Sequence, residues 1–282
     1  MTRSNALYAT SGPAGERGAL VRLGARSDRK GLRQLAWHLG ALAASGIVAW
    51  SARGSLWLLP AMVGHGVLLV SLFAPLHESI HWTAFRTRRL NDVVAWGCGA
   101  ALMLPPAYFR AFHFAHHRHT QDLARDPELA APKPDTLPEY LWHVSGLPYW
   151  RERLVTTLRH ARGRVDEPFI APRARPKVVR EARLLLGLYL LAALASIALS
   201  SPALLYLWAL PALLGQPFLR LYLLAEHTGC PLVSSMLENS RTTRSLAPIR
   251  RLAWNMPYHA EHHAYPALPF HALPAAHRLL RS

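Results

Sequence analysis

Histidine placement is the strongest constraint on how this chain can fold. His77 and His81 lie in HESIH, His113, His116 and His117 in AFHFAHHRHT, and His259, His262 and His263 in WNMPYHAEHHAYP. The last two groups share an H-x-x-H-H array, and long apolar runs separate all three. A structure that uses these histidines together must bring distant pieces of chain to one end of its apolar segments.

The apolar runs set the architecture. Residues 35–50 and 55–76 are joined by a short SARG turn, and residues 184–200 and 203–225 by an uncharged Ser201-Pro202 link. A helix rises about 1.5 Å per residue, so about 20 residues cross the hydrocarbon core of a bilayer. Each pair therefore reads as a transmembrane hairpin, with spans at about 35–52, 55–76, 184–200 and 203–225. Val93–Leu104 is shorter and ends at Pro105-Pro106, which suits a re-entrant or interfacial segment. If it crossed the membrane, the first and second histidine groups would face opposite sides. The expected fold is an all-α membrane protein with two transmembrane helical hairpins, giving four spans. A re-entrant segment and a cytoplasmic helical cap carrying the histidines complete it. Residues 1–34 form a basic cytoplasmic arm and residues 35–282 the membrane domain. PYWRERLVTTLRHARGR reads as a helix lying on the membrane surface, with His143 and His160 as surface residues. The lone His38 and His65 sit in apolar helices and read as structural residues bonded to nearby carbonyls.

Charge supplies an orientation. The chain is 51% hydrophobic yet has a formal net charge of +16. With both hairpin turns outside, Arg53 is the only one of the 32 Lys and Arg residues in an outer loop. That asymmetry follows the positive-inside rule and places both termini and all three histidine groups in the cytoplasm. The Arg-rich composition points to a bacterial protein, and so to the inner membrane. Topology accounts for most of the charge, so no nucleic-acid partner is expected; membrane lipid is. Cys98 and Cys230 make no disulfide framework, and no cleavable signal peptide is evident.

Neutral imidazole suits iron, copper, zinc and nickel. His77 and His81 are four apart and share a helix face. H-x-x-H-H offers an i, i+3 pair with an adjacent residue. The resulting eight histidines are too many for one ion and suit two. His227, in EHTG, is a ninth candidate, and His119 a weaker one; His271 and His277 read as hydrogen-bonding or surface residues. HESIH also matches H-E-x-x-H, in which Glu78 would be the general base of an intramembrane zinc protease. That reading leaves the other arrays without a purpose. A non-catalytic metal carrier is a third reading, but it calls for ligands along a path through the membrane.

HESIH, HFAHH with RHTQDLARDPE, and WNMPYHAEHHAYP resemble the three histidine boxes of the membrane fatty acid desaturase and hydroxylase superfamily, in particular its short bacterial members. The similarity includes box order and hairpin layout. The first box, H-x-x-x-H, is one residue shorter than in many desaturases. The resemblance implies a non-haem di-iron centre held by His77, His81, His113, His116, His117, His259, His262 and His263, with His227 as the ninth ligand. It implies two irons as cofactor and O2 as co-substrate. An external ferredoxin- or cytochrome-type donor and its reductase would supply electrons, since the chain carries no cytochrome-like haem motif. The substrate would be a fatty acyl chain or, alternatively, a small amine, amino-acid-like or carotenoid compound, either desaturated or hydroxylated. Glu78, Asp122, Asp126, Glu226 and Glu261 are the acidic residues placed to orient ligand rings. Asp122 and Asp126 could equally pair with Arg118 and Arg125.

Overall fold

Ser27 starts the first long helix by accepting a hydrogen bond from the Lys30 amide (3.3 Å). The computed structural model describes residues 14–131 and 133–281. Its helices are α1 (Ala14–Leu23), α2 (Asp28–Ser51), α3 (Leu58–Val70), α4 (Phe73–Ile80), α5 (Arg88–Ala101), α6 (Pro106–His119), α7 (Leu137–Val144), α8 (Leu147–Ala161), α9 (Arg175–Ala198), α10 (Leu210–His227), α11 (Ala247–Leu252), α12 (His259–Ala264) and α13 (Leu273–Leu280). Among the described residues there is no β-strand, only an isolated bridge between Thr242 and Tyr258.

Among the described residues, three helical stretches are long and apolar enough to cross a membrane: Leu58–Ile80, Pro172–Ala198 and Leu205–His227. The first apolar run, inside α2, is not among them, because Gln34, His38, Ser45 and Gly46 dilute it. The helix also begins about two turns before that run, fixed by the Ser27 cap. Asp28 reinforces the start, accepting from the Thr87 amide and hydroxyl (both 2.8 Å). The expected basic arm is therefore only partly an arm. Residues 1–13 lie outside the described residues, while Leu20 of α1 is buried with Leu268, Leu273 and Ala276 beneath α13.

The lone histidines repair broken helices. Pro211 has no N–H to donate to the Leu207 carbonyl four residues back. His65 takes that carbonyl instead (Nε2 to O, 3.0 Å), and its Nδ1 bonds the Ser45 hydroxyl (2.8 Å). A π-helical turn, Leu205–Ala209, leads into α10 at this point. At the α3–α4 joint the Leu72 amide bonds Leu69 rather than Leu68. His38 donates to the freed Leu68 carbonyl (3.1 Å) and accepts from the Trp254 indole (3.3 Å). Both histidines have the structural role read from the sequence.

α3 and α10 touch backbone to backbone. A Cβ built at Gly66 would lie 2.2 Å from the Pro211 carbonyl oxygen, and one at Gly215 would lie 2.2 Å from that of Gly66. Small residues allow this approach. His81 caps the end of α4 and His227 closes α10, so the two apolar stretches finish at one place.

α5 and α6 form a helical pair that turns at residues 102–105. Its tip is enclosed: the Tyr149 hydroxyl donates to the Leu102 carbonyl (2.8 Å), the Trp208 indole to Ala101 (2.9 Å), and the Tyr189 hydroxyl to Ala100. Glu181 accepts from the Ala107 amide (2.7 Å) at the start of α6. Helix-end groups that need partners away from water thus find them in side chains. At 14 residues, α5 is about 21 Å long, well short of a bilayer core. α6 returns the second histidine group to the first.

Candidate metal centre

The third array reaches the site because two anchors hold its flanks. Trp254, fully buried, hydrogen-bonds His38 of α2 and packs at a tilt against Phe270 (ring centroids 4.8 Å). Glu78 of α4 accepts from the Phe270 amide (2.7 Å). Between these anchors the six-residue α12 presents His259, His262 and His263, all buried.

Nine histidines converge as two groups. His77, His81, His113, His117 and His262 form one, and His116, His227, His259 and His263 the other; within each group the ligand atoms lie within 4.8 Å of one another. Helical geometry explains the partition. Residues four apart share a face, whereas an intervening residue is turned away. In α6, His113 and His117 face the first group and His116 the second; in α12, His259 and His263 face the second and His262 the first. The sequence reading grouped the i, i+3 pair with its neighbour; it is the i, i+4 pair that acts together. His227 joins the second group, while His119 is half-buried and belongs to neither.

The ring nitrogens meet nose to nose. Nε2–Nε2 separations are 2.9 Å for His113–His117, 3.1 Å for His117–His262, 3.2 Å for His116–His227 and 3.0 Å for His227–His259. A neutral imidazole has one N–H and one lone pair, so such a set cannot satisfy itself internally. The Nε2 atoms of His77, His81 and His263 are buried without a partner among the described residues. Burial first, and then mutual repulsion, hold His81, His113, His117, His259, His262 and His263 well below the ordinary imidazole range. They are neutral at physiological pH, as metal ligands must be. Buried, neutral, convergent and unpaired nitrogens fit a pair of bound cations.

The outer nitrogens distinguish the two groups. In the second, His116 Nδ1 lies 2.9 and 3.1 Å from the two carboxylate oxygens of Asp126, and His227 Nδ1 lies 3.1 Å from the Asn239 carbonyl. His263 Nδ1 lies 3.2 Å from the Thr120 hydroxyl, and His259 Nδ1 lies 3.4 Å from the Glu226 carboxylate. In the first group, Nδ1 of His77, His117 and His262 has no partner among the described residues. Asp126 is itself pinned by the Gln121 and Glu128 amides (2.9 and 3.0 Å). Burial pushes its carboxyl up, but the His116 bond, its charge and these amides hold it below the usual range.

Three of the five acidic residues expected to orient ligand rings do other work. Glu78 is one residue on from His77, so the helix turns it toward Phe270. Asp122 is partly exposed, caps the Ala124 amide (3.0 Å) and pairs with Arg125. Glu261, between His259 and His262, contacts His277 and Thr242. Asp126 pairs with His116, not with Arg118 or Arg125. Glu78 turned away from His77 and His81 is no base for a zinc protease. His160 is not a surface residue: it is buried, with Nε2 2.8 Å from Glu167. A mostly apolar cavity of about 760 Å³ opens beside the centre; His77, His113, His116, His227 and His259 line one side, and Phe73, Phe109, Phe112, Leu219 and Leu223 much of the rest.

Long apolar helices that end on two histidine groups beside an apolar cavity are the features of a membrane protein whose histidines are compatible with metal binding. The family model for fatty acid desaturase matches residues 54–282, and the chain belongs to that family. It is thus an oxidoreductase of the desaturase or hydroxylase type. No curated protein matches the chain.

Proposed function

We propose that this chain is an O2-dependent, non-haem di-iron oxidoreductase that desaturates or hydroxylates a fatty acyl chain or a related substrate. One observation carries the reading: nine converging histidines, most of them buried, divide into two groups at the wall of an apolar cavity. Iron at both groups would supply the power to activate O2 and break an unactivated C–H bond. The chain's own residues then have separable tasks. The five- and four-histidine groups would each hold one iron. Asp126, the Asn239 carbonyl and Thr120 fix ring orientation in the second. Phe73, Phe109 and Phe112 hold a chain against the histidine wall and keep water from it. Electrons come from a separate ferredoxin- or cytochrome-type donor and its reductase.

The proposed topology has four spans, with α2 as the first, and both termini and all histidine groups on the cytoplasmic side of a bacterial inner membrane. The charge asymmetry around Arg53 supports it.

Metal analysis of the purified chain tests the centre. The expected content is about one iron per histidine group; a single zinc without iron overturns the proposal. His262→Ala is expected to lose iron and activity while staying in the membrane fraction. Mass spectrometry of lipids and small metabolites with and without the gene tests the reaction: loss of two hydrogens marks desaturation, and gain of one oxygen marks hydroxylation.

A further inference from the structure

The cavity beside the histidines has a charged sector that the oxidation chemistry does not use. Arg153 of α8 and Arg220 of α10 line it, with Tyr149 between them. The Arg220 guanidinium stands 4.6 Å from the Tyr149 ring centroid and that of Arg153 stands 5.8 Å away. Arg153 is only 7% exposed, and its Nε has no partner among the described residues. Its Nη2 pairs with Glu152, which is largely exposed.

Arg220 is the more telling residue. It lies inside a membrane-spanning stretch, where an ionised side chain is costly and marks a functional site by default. Among the described residues, no carboxylate lies within ion-pair distance of it. With the Gln216 amide oriented to accept, Arg220 Nε and Nη2 donate to it at 3.1 and 3.2 Å. That neutral partner aligns the guanidinium without neutralising it. The three nearby carboxylates are engaged elsewhere: Glu152 with Arg153, Glu128 3.7 Å from His116, and Glu226 3.4 Å from His259. Gly146, at φ +73°, fixes the arrangement, because a Cβ there would strike Gln216 Cγ at 2.3 Å.

We infer that Arg220 and Arg153 are specificity-determining residues that bind the anionic group, carboxylate or phosphate, of an amphipathic substrate whose apolar part lies along Phe109 and Phe112. Guanidinium is suited to such planar or tetrahedral oxyanions. Arg220 precedes His227 by seven residues, so the anion sits about 10 Å along the helix axis from the second histidine group. The oxidised carbon would then lie several bonds from the anionic end. This assignment rests on reading the cavity as the substrate chamber of the metal site.

The test measures binding, not turnover. The full iron-loaded chain, in phosphatidylcholine nanodiscs, is dialysed to equilibrium against radiolabelled dodecanoate, dodecyl phosphate, dodecanol or dodecylamine, with empty discs as blank. Saturable binding of the two anions, at least about tenfold tighter than of dodecanol or dodecylamine, is expected. Arg220→Gln and Arg153→Gln should each weaken dodecanoate binding about tenfold and leave dodecanol binding and iron content unchanged. Arg220→Lys should restore part of the affinity, which separates lost charge from lost fold. Competition by phosphatidylglycerol in the discs identifies a lipid headgroup as the natural source of the anion; no competition identifies a free amphiphile. Equal binding of dodecanol and dodecanoate, or an unchanged affinity in Arg220→Gln, overturns the inference. Should the purified chain hold no iron yet bind dodecanoate through Arg220, the anion site stands and the di-iron reading fails.

Discussion

At the scale of single residues, the two histidine groups are built to different standards. Every ring in the second has an oxygen near its outer nitrogen, whereas three rings in the first have none. Outer partners fix tautomer and orientation, and removing one commonly costs 10–100-fold in metal affinity, about 1.4–2.7 kcal/mol. Asp126→Asn is therefore expected to lose metal from the second group alone. After dialysis against a chelator, iron per chain should fall toward half while the first group keeps its ion. Asp122→Asn, which removes only the exposed pair with Arg125, should match the wild type in the same assay. Equal retention in both variants would confine Asp126 to shaping the loop from Gln121 to Glu128. Eight of the nine converging histidines stand in three short sequence groups, which have few other uses, whereas His227 is a lone candidate in EHTG that the fold brings to them. The outer partners were less legible in the sequence. Glu78 and Glu261 sit beside ligands in sequence, but one residue along a helix is about 100° of rotation. Arg153 and Arg220 lacked any local pattern and became visible only when α8 and α10 met at the cavity.

At the scale of elements, helix crossings set where the histidines arrive. α3 and α10 approach at Gly66 and Gly215, upstream of the first box and of His227 respectively. Widening that crossing would separate the ends that carry His77, His81 and His227. Gly215→Ala is expected to destabilise the protein by about 1–3 kcal/mol, since its Cβ would meet backbone that cannot yield. Thermal unfolding in detergent measures this, and Gly64→Ala, which meets nothing within 4 Å, is the control. A Gly215→Ala melting point equal to that of the control would show that the crossing is looser than its geometry. The sequence announced these helices better than it placed their ends. Apolar runs mark the middle of a buried helix, but caps decide where it starts: Ser27 for α2, and charged turns from Arg175 before the apolar part of α9. The returning α5–α6 pair was readable from its length and from Pro105-Pro106. Its enclosure by Tyr149, Trp208 and Tyr189 depends on contacts distant in sequence.

At the scale of the whole molecule, the question is which side of the membrane the site faces. Two of the apolar stretches end at histidines that touch the same centre, so both enter the bilayer from the far side and leave it at the site. The segments that gather there carry most of the arginines, whereas the turn between α2 and α3 holds only Arg53, whose guanidinium rests 3.2 Å over the Trp50 ring. In the proposed topology the positive-inside rule would put the α2–α3 turn outside and the site within the cell. Labelling with a membrane-impermeant maleimide decides it. In a chain whose Cys98 and Cys230 are replaced by serine, a cysteine at Ser55 should react in intact cells. One at Glu238, in the exposed segment between α10 and α11, should react only after permeabilisation. A third position tests whether α2 crosses the bilayer despite its diluted apolar run. If α2 lay on the membrane surface instead, the segment before it would stay on the side of the α2–α3 turn, because no other candidate span separates the two. A cysteine at Arg26, in the exposed link between α1 and α2, would then follow Ser55. Matching behaviour at Glu238 and Arg26, opposite to that at Ser55, is the result expected of four spans closing over one cytoplasmic centre.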